Sequence, residues 1–239
     1  MEVKLNDTTL CAIVRDEIEN PAGGIIDFIN STVPFVQEAV IVDTGSIDWT
    51  REILRELSKE YDNLKIIYSE FIDYSSARNI SLKYARTEYV LVLDADERLT
   101  REDFKDLKSL LQKRQKPGYN FQLVNVYLYG ESYSNLHNPR LFQFRSSFGI
   151  PFYINEHNRD CEHLYLHKKF PFRFDSIPFF TKDINITIKH FLLSHQLRFD
   201  KRNNWYRQIV ENSNVKIIPP PSLISINWKE FNPRRENYR

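Results

Sequence analysis

Short apolar runs alternate with stretches of helical spacing through the first half of the chain. Residues 9–14 (TLCAIV), 39–42 (AVIV), 64–68 (LKIIY) and 89–93 (YVLVL) are each bounded by polar residues. Runs of this length predict strands buried on both faces, as in a parallel sheet. Between them, Ile25, Ile26, Phe28 and Ile29, then Ile53, Leu54, Leu57 and Tyr61, then Ala77, Ile80, Ser81, Tyr84 and Ala85 fall at helical intervals. Pro34 closes the first of these helices, and Asp48 is the expected N-cap of the second. Thr100 followed by Glu102 and Asp103 predicts a fourth helix start, with Phe104, Leu107, Leu110 and Leu111 inward and Pro117 and Gly118 ending it. Strands alternating with helices predict an α/β fold with a doubly wound, mostly parallel sheet.

From Tyr119 onward the chain turns aromatic-rich and β-prone. Residues 121–129 and 140–144 read as added strands, broken by Gly130, Gly149 and Pro151, with long loops between. Ile184, Ile186 and Ile188 alternate as in a half-buried strand, and residues 199–212 predict a helix with Trp205 and Ile209 inward. The tail from Lys216 carries Pro219, Pro220 and Pro221, then Arg234 and Arg235, and reads as an extended arm.

With 239 residues the chain can bury roughly 70 to 75% of its extended surface. Its net charge of +1, with signs mixed throughout, argues against nucleic acid as the main partner. Cys11 and Cys161 lie far apart, and Cys11 sits in an apolar run as a small buried hydrophobe, which reads as a reducing compartment. The opening MEVKLNDTT lacks a signal peptide's apolar core, and no run approaches the roughly 18 apolar residues of a membrane span. The expectation is a cytoplasmic protein without a membrane span, with peripheral membrane association left open.

The candidate chemistry lies at residues 89–99 (YVLVLDADERL), where an apolar strand stops at Asp94, Ala95, Asp96 and Glu97. In parallel α/β sheets, ligands sit at the carboxyl ends of strands. Asp94 and Asp96, two apart, share a side if the extended geometry continues, and their like charges repel unless a cation sits between them. Loop carboxylates pointing into water are the plain alternative.

Three signals occur in order: an acidic turn at Arg15, Asp16 and Glu17; D-T-G-S-x-D from Asp43 to Asp48; and Ala77, Arg78 and Asn79 ahead of D-A-D-E. This ordered set resembles the family 2 glycosyltransferases of the GT-A fold, closely over residues 8–100 and more thinly as far as His190. The resemblance implies a metal-dependent, inverting transfer of sugar from a nucleotide-sugar to a hydroxyl acceptor: a glycan, a lipid-linked saccharide or a protein. It implies Glu17 near base or ribose, Asp43 accepting from the nucleobase, Arg78 facing base or phosphate, and Asp94 holding ribose or a metal-bound water. Asp96 would hold Mn²⁺ or Mg²⁺, hard cations that suit carboxylate and phosphate oxygens. Asp43 suits an imide N–H, so a UDP-sugar is favoured. Two positions depart from the pattern: Asp16 stands where the family often has Asn, and Ile47 where it has Thr or Ser. Turn-making and helix capping are the plain alternative for Asp48, and a structural salt bridge for Arg78.

Related sequences carry an R-L-F-like strand, a His-Glu loop and a strand ending in His. Here these read as Arg140, Leu141 and Phe142; Ile154, Asn155, Glu156 and His157, with Asn155 standing where His is expected; and Lys189, His190 and Phe191. Inversion needs a carboxylate to take the acceptor's proton, for which Glu156 is the candidate and Asp160 and Glu162 the reserves. His190 is a candidate third metal ligand, with a packed or hydrogen-bonded histidine as the alternative. His163 and His167 near Cys161 could form a zinc pair only on paper, without a second cysteine nearby. On this reading residues 1–135 bind the nucleotide-sugar, 136–215 the acceptor, and 216–239 form a tail, with the oligomeric state open. The rivals are a noncatalytic nucleotide- or glycan-binding module and a haloacid dehalogenase-like phosphatase, whose motif wants Thr or Val where Arg98 stands.

Overall fold

A computed structural model of the chain describes residues 3–18, 20, 22–113, 116–127, 130–135, 139–144, 149–156, 161–166, 172–173 and 180–191. The elements in order are β1 (Leu5–Val14), α1 (Gly24–Thr32), β2 (Val36–Asp43), α2 (Thr50–Glu60), β3 (Leu64–Tyr68), α3 (Tyr74–Tyr84), β4 (Tyr89–Val92), β5 (Glu97–Arg98) and α4 (Arg101–Gln112). Strands then dominate: β6 (Gly118–Tyr127), β7 (Gly130–Asn135), β8 (Leu141–Gln143), β9 (Phe152–Glu156), β10 (Cys161–Leu166), β11 (Phe172–Arg173) and β12 (Thr181–Phe191).

The main sheet runs β3-β2-β1-β4-β8-β6-β12-β5, with β7 paired to β6 off this path. Strands β3, β2, β1 and β4 are parallel, β8 is antiparallel to both β4 and β6, and β12 is parallel to β6. The expected α/β fold with a doubly wound sheet is therefore present. A second sheet, β11-β10-β9, is antiparallel.

Strand periodicity divides the core. Leu10 and Ala12 of β1 and Leu91 of β4 face a cluster with Ile25 and Phe28 of α1, Leu54 of α2, and Phe104 and Leu107 of α4. Their neighbours Cys11, Val90 and Val92 face the opposite cluster, with Leu82 of α3, Phe142 of β8, and Tyr153 and Leu164 of the second sheet. Both faces are covered, which is why these strands read as unbroken apolar runs rather than alternating ones. Each fully buried Leu, Ile or Phe here contributes about 1.5 to 3 kcal/mol of transfer free energy.

Several boundaries differ from the pattern reading. β1 starts at Leu5, four residues before the apolar run, because Leu5 reaches β2 opposite Val36. α1 ends at Thr32, and Pro34 lies in a separate 3-10 turn, Val33–Phe35. α2 begins at Thr50 after Trp49, so Asp48 lies one residue outside the N-cap; its Oδ1 still accepts from the Thr50 amide at 2.8 Å. α4 stops at Gln112, and Gly118 opens β6 rather than ending the helix. Thr100 caps α4 as expected, in a reciprocal pair with Asp103. The expected helix at 199–212 and the tail lie outside the described residues.

Candidate functional site

The loops after β1 and β2 are locked to each other. Arg15 Nη1 donates to the Thr44 carbonyl at 3.2 Å, and the Asp16 amide to Ser46 Oγ at 3.0 Å. The Glu17 amide donates to Thr50 Oγ1 at 2.8 Å, and the Ile18 amide to Asp48 Oδ2 at 3.1 Å. Asp16 Oδ1 in turn accepts from the amides of Ile47 and Asp48. Asp16 has φ +53°, a left-handed conformation that Asn and Asp tolerate better than most residues. That preference accounts for Asp at a position where Asn is common, and the acceptor Oδ1 is the atom both side chains share.

Asp43, the last residue of β2, is fully buried. Its Oδ1 accepts from the amides of Gly45 and Ser46 at 3.0 and 3.1 Å, a turn that uses Gly45 at φ +108°. Arg51 Nε donates to the same oxygen at 2.8 Å, with its guanidinium 5.3 Å from the centre of the Tyr68 ring. Oδ2 has no hydrogen-bond partner among the described residues. A buried carboxylate oxygen left unpaired is costly, so it marks a place where a ligand donor would be gained. Glu17 Oε2 accepts from Asn20 Nδ2 at 2.7 Å.

The acidic turn follows β4. The Glu97 amide donates to the Asp94 carbonyl, and Glu97 Oε2 accepts from the Asp94 amide, both at 2.9 Å. Arg78 Nη2 reaches Asp94 Oδ1 at 2.6 Å, while Arg140 Nη2 reaches Asp94 Oδ2 at 3.2 Å and Glu97 Oε1 at 2.6 Å. Burial raises the Asp94 pKa, but the two guanidiniums outweigh it and hold the carboxyl well below the usual range. Glu97 is pushed up to about 7 by burial, against the pull of Arg140 and with the push of Asp94. Glu97 therefore shapes the turn and faces Arg140. Arg98, wholly buried, clamps the other side: Nη1 donates to the carbonyls of Ala95 and Glu97, Nη2 to that of Ala22, and Nε lies 3.5 Å from Asp27.

The end of β12 closes the site. The Phe191 amide donates to the Asp96 carbonyl at 3.0 Å, and His190 Nε2 lies 3.5 Å from Asp96 Oδ2. His190 Nδ1 lies 2.9 Å from Asn125 Oδ1 on β6. Burial disfavours the imidazolium, but Asp96, Glu97 and Asp94 more than compensate, so the His190 pKa is raised. Adjacent ligands of a hard cation with bonds near 2.1 Å stand about 3 Å apart, so this oxygen and nitrogen can share one with little movement. No cluster of three His, Cys, Asp or Glu side chains is arranged around a metal among the described residues. The donor set thus fits Mg²⁺ or Mn²⁺ completed by phosphate oxygens and water, and does not fit an all-protein cage.

The second sheet is fastened to α3 beside Arg78. Asn79 Nδ2 donates to the Tyr153 carbonyl at 2.9 Å, and the Tyr153 amide donates to Asn79 Oδ1 at 2.8 Å. The Arg78 guanidinium lies 6.0 Å from the centre of the Tyr153 ring. Glu156 ends this same strand, opposite Cys161, and Glu162 pairs with Asn155. The Glu156 and Glu162 side chains, and Asp160 and His167 altogether, lie outside the described residues.

The structure thus gathers Arg78, Asp94, Asp96 and His190 at one strand edge and sets Asp43 and Glu17 at the neighbouring loops. Sequence reasoning passed over Asn125 and Arg51, the clamp role of Arg98, and the pairing of Arg140, read only as the head of a strand, with Asp94 and Glu97. Asn125 left a trace, a polar residue between Val124 and Val126, as did Arg140 ahead of an apolar strand.

This sheet order, with an acidic turn at the carboxyl ends of its parallel strands, is a GT-A-type α/β domain. The chain belongs to glycosyl transferase family 2, whose profile matches residues 25–188. It is 36% identical over 106 residues to a TPR repeat-containing protein of Synechococcus elongatus, covering 44% of this chain and 24% of that one. It is 35% identical over 83 residues to dolichyl-phosphate beta-glucosyltransferase ALG5A of Trichomonas vaginalis, covering 33% and 26%. The chain spans about a quarter of the length of these two relatives. Among solved structures, S. aureus TarS 1-349 matches with a TM-score of 0.47 at 18% identity, covering 57% of this chain and 47% of that one. Among the described residues, no helix is long and apolar enough to cross a membrane.

Proposed function

We propose that this chain transfers a sugar from a nucleotide-sugar, with a UDP-sugar favoured, to a hydroxyl acceptor with inversion, using Mn²⁺ or Mg²⁺. The observation that carries this is the pairing of two ends at one sheet edge: the unpartnered Asp43 Oδ2, and Asp96 Oδ2 facing His190 Nε2 at 3.5 Å. The first suits a nucleobase N–H. The second suits a cation held between protein and diphosphate.

Asp96 and His190 would hold the cation, which supplies charge neutralisation to the departing nucleoside diphosphate. Arg78 and Arg140 keep Asp94 ionised, and Asp94 would meet ribose or a metal-bound water. Glu156 would take the acceptor's proton as the hydroxyl attacks the anomeric carbon. It lies three residues beyond Tyr153, about 10 Å along the strand from the point where Asn79 fixes it. On this reading residues 1–135 handle the donor and 136–215 the acceptor, although β8 and β12 complete the sheet that the first part begins.

Incubating the chain with a panel of nucleotide-sugars, with Mn²⁺ and with chelator, tests the reading. Slow metal-dependent release of nucleoside diphosphate is expected, and Asp96→Ala should abolish it while leaving the melting temperature within about 2 °C, because a partly exposed loop carboxylate contributes little to folding. Release of inorganic phosphate from sugar phosphates, or wild-type turnover in Asp96→Ala, would refute it.

A further inference from the structure

We propose that Asn125 is a positioning residue that holds His190 with its proton on Nδ1, leaving the Nε2 lone pair toward Asp96. The inference rests on the reading of Asp96 and His190 as cation ligands, and extends it to a residue on another strand.

The argument begins with the register. In the parallel pair β12 and β6, His190 stands beside Asn125, and in the antiparallel pair β6 and β7, Asn125 stands opposite Ser132. On the other edge of β12, His190 stands opposite Glu97 of the acidic turn. Ser132, Asn125 and His190 therefore form a line across three strands that ends at the turn carrying Asp96. An amide oxygen accepts and cannot donate. With Asn125 Oδ1 at 2.9 Å from Nδ1, the short contact is a hydrogen bond only if the imidazole carries its proton there. The other end of the amide is also engaged, with Asn125 Nδ2 donating to Ser132 Oγ at a long 3.5 Å. A neutral imidazole protonated on Nδ1 has its only lone pair on Nε2, the nitrogen 3.5 Å from Asp96 Oδ2.

The physical gain is preorganisation. Histidines that bind metals usually donate their other N–H to a fixed acceptor, which sets both the tautomer and the ring plane. A half-buried Asn between Val124 and Val126 is otherwise a cost.

Nitrogen-15 spectra of the metal-free protein, recorded at a pH high enough that the His190 ring is neutral, read the tautomer directly and need no bound metal. The Nδ1–H tautomer is expected for His190 in the wild type and in Asn125→Asp, which keeps the acceptor. Asn125→Leu, of similar size, should lose it. Electron paramagnetic resonance titration with Mn²⁺ alone should show affinity roughly 10- to 100-fold weaker in Asn125→Leu and near wild type in Asn125→Asp. A packing role would instead move the melting temperature of both variants and spare the tautomer. An Nε2–H tautomer in the wild type, or Asn125→Leu with unchanged tautomer and Mn²⁺ affinity, overturns the proposal. A wild type with the Nδ1–H tautomer but no Mn²⁺ binding would refute the cation reading of Asp96 and His190, and with it the positioning role, while the hydrogen bond itself would stand.

Discussion

Asp43 spends one oxygen on the chain and leaves the other without a hydrogen-bond partner among the described residues. Its Oδ1 gathers two amides and Arg51, so the residue is structural as well as a candidate for base recognition. Asp43→Asn should therefore weaken nucleoside diphosphate binding about ten- to a hundredfold, the effect of roughly 1.5 to 3 kcal/mol from a lost charge-assisted bond. It should also lower the melting temperature through the Arg51 contact. Calorimetry beside a thermal melt separates the two effects, and unchanged affinity would refute the base role. Cys11 illustrates the opposite case, a reactive residue type made inert. Burial pushes its thiol up to about 12, so almost no thiolate forms near neutral pH. In a Cys161→Ser background, a thiol reagent at pH 8 should find nothing to titrate until denaturant is added. At this scale the sequence was legible where a residue type has one strong use, as with Cys11, which its apolar run marks as a small buried hydrophobe. It was not legible for Asn125, whose partner His190 lies 65 residues on, or for Arg51, which reaches Asp43 from the far side of a turn.

At the scale of elements, the apolar runs located β1, β2, β3 and β4, because burial within the sheet leaves little polar alternation to confuse them. Boundaries slipped where a side chain acted one step from its usual position, as Asp48 does outside α2, or where pairing carried a strand beyond its apolar run, as at Leu5. The second sheet was the least legible, since its docking depends on Asn79 bonding the backbone of Tyr153, a contact that no periodicity announces. Asn79→Ala strips both bonds and should cost about 1 to 3 kcal/mol of stability in chemical denaturation. Its effect on function should be selective: sugar transfer falls because β9 carries Glu156, while affinity for nucleoside diphosphate stays within twofold. Equal loss of both would show that β9 supports the donor side instead.

For the whole molecule, the buried charges near the turn predict how stability responds to pH. The Glu97 pKa is raised from 4.5 to about 7. Its native state thus binds the proton more tightly than the unfolded chain. That contribution is complete below pH 4.5 and is lost as pH climbs through about 7. Glu97→Gln cannot titrate, so in metal-free buffer its melting temperature should fall less than the wild type's across this window. Parallel curves would refute the assignment. The sheet order bears on a different matter, the sequence in which the site comes into being. Asp43 and its locked loops are built from β1, β2 and the start of α2, all near the beginning of the chain, whereas His190 arrives with β12 and must find its place between β6 and β5. Contacts between distant parts of a chain form late. On the roles proposed for Asp43 and His190, the base-binding end of the site is laid down early in the chain and the cation-binding end last.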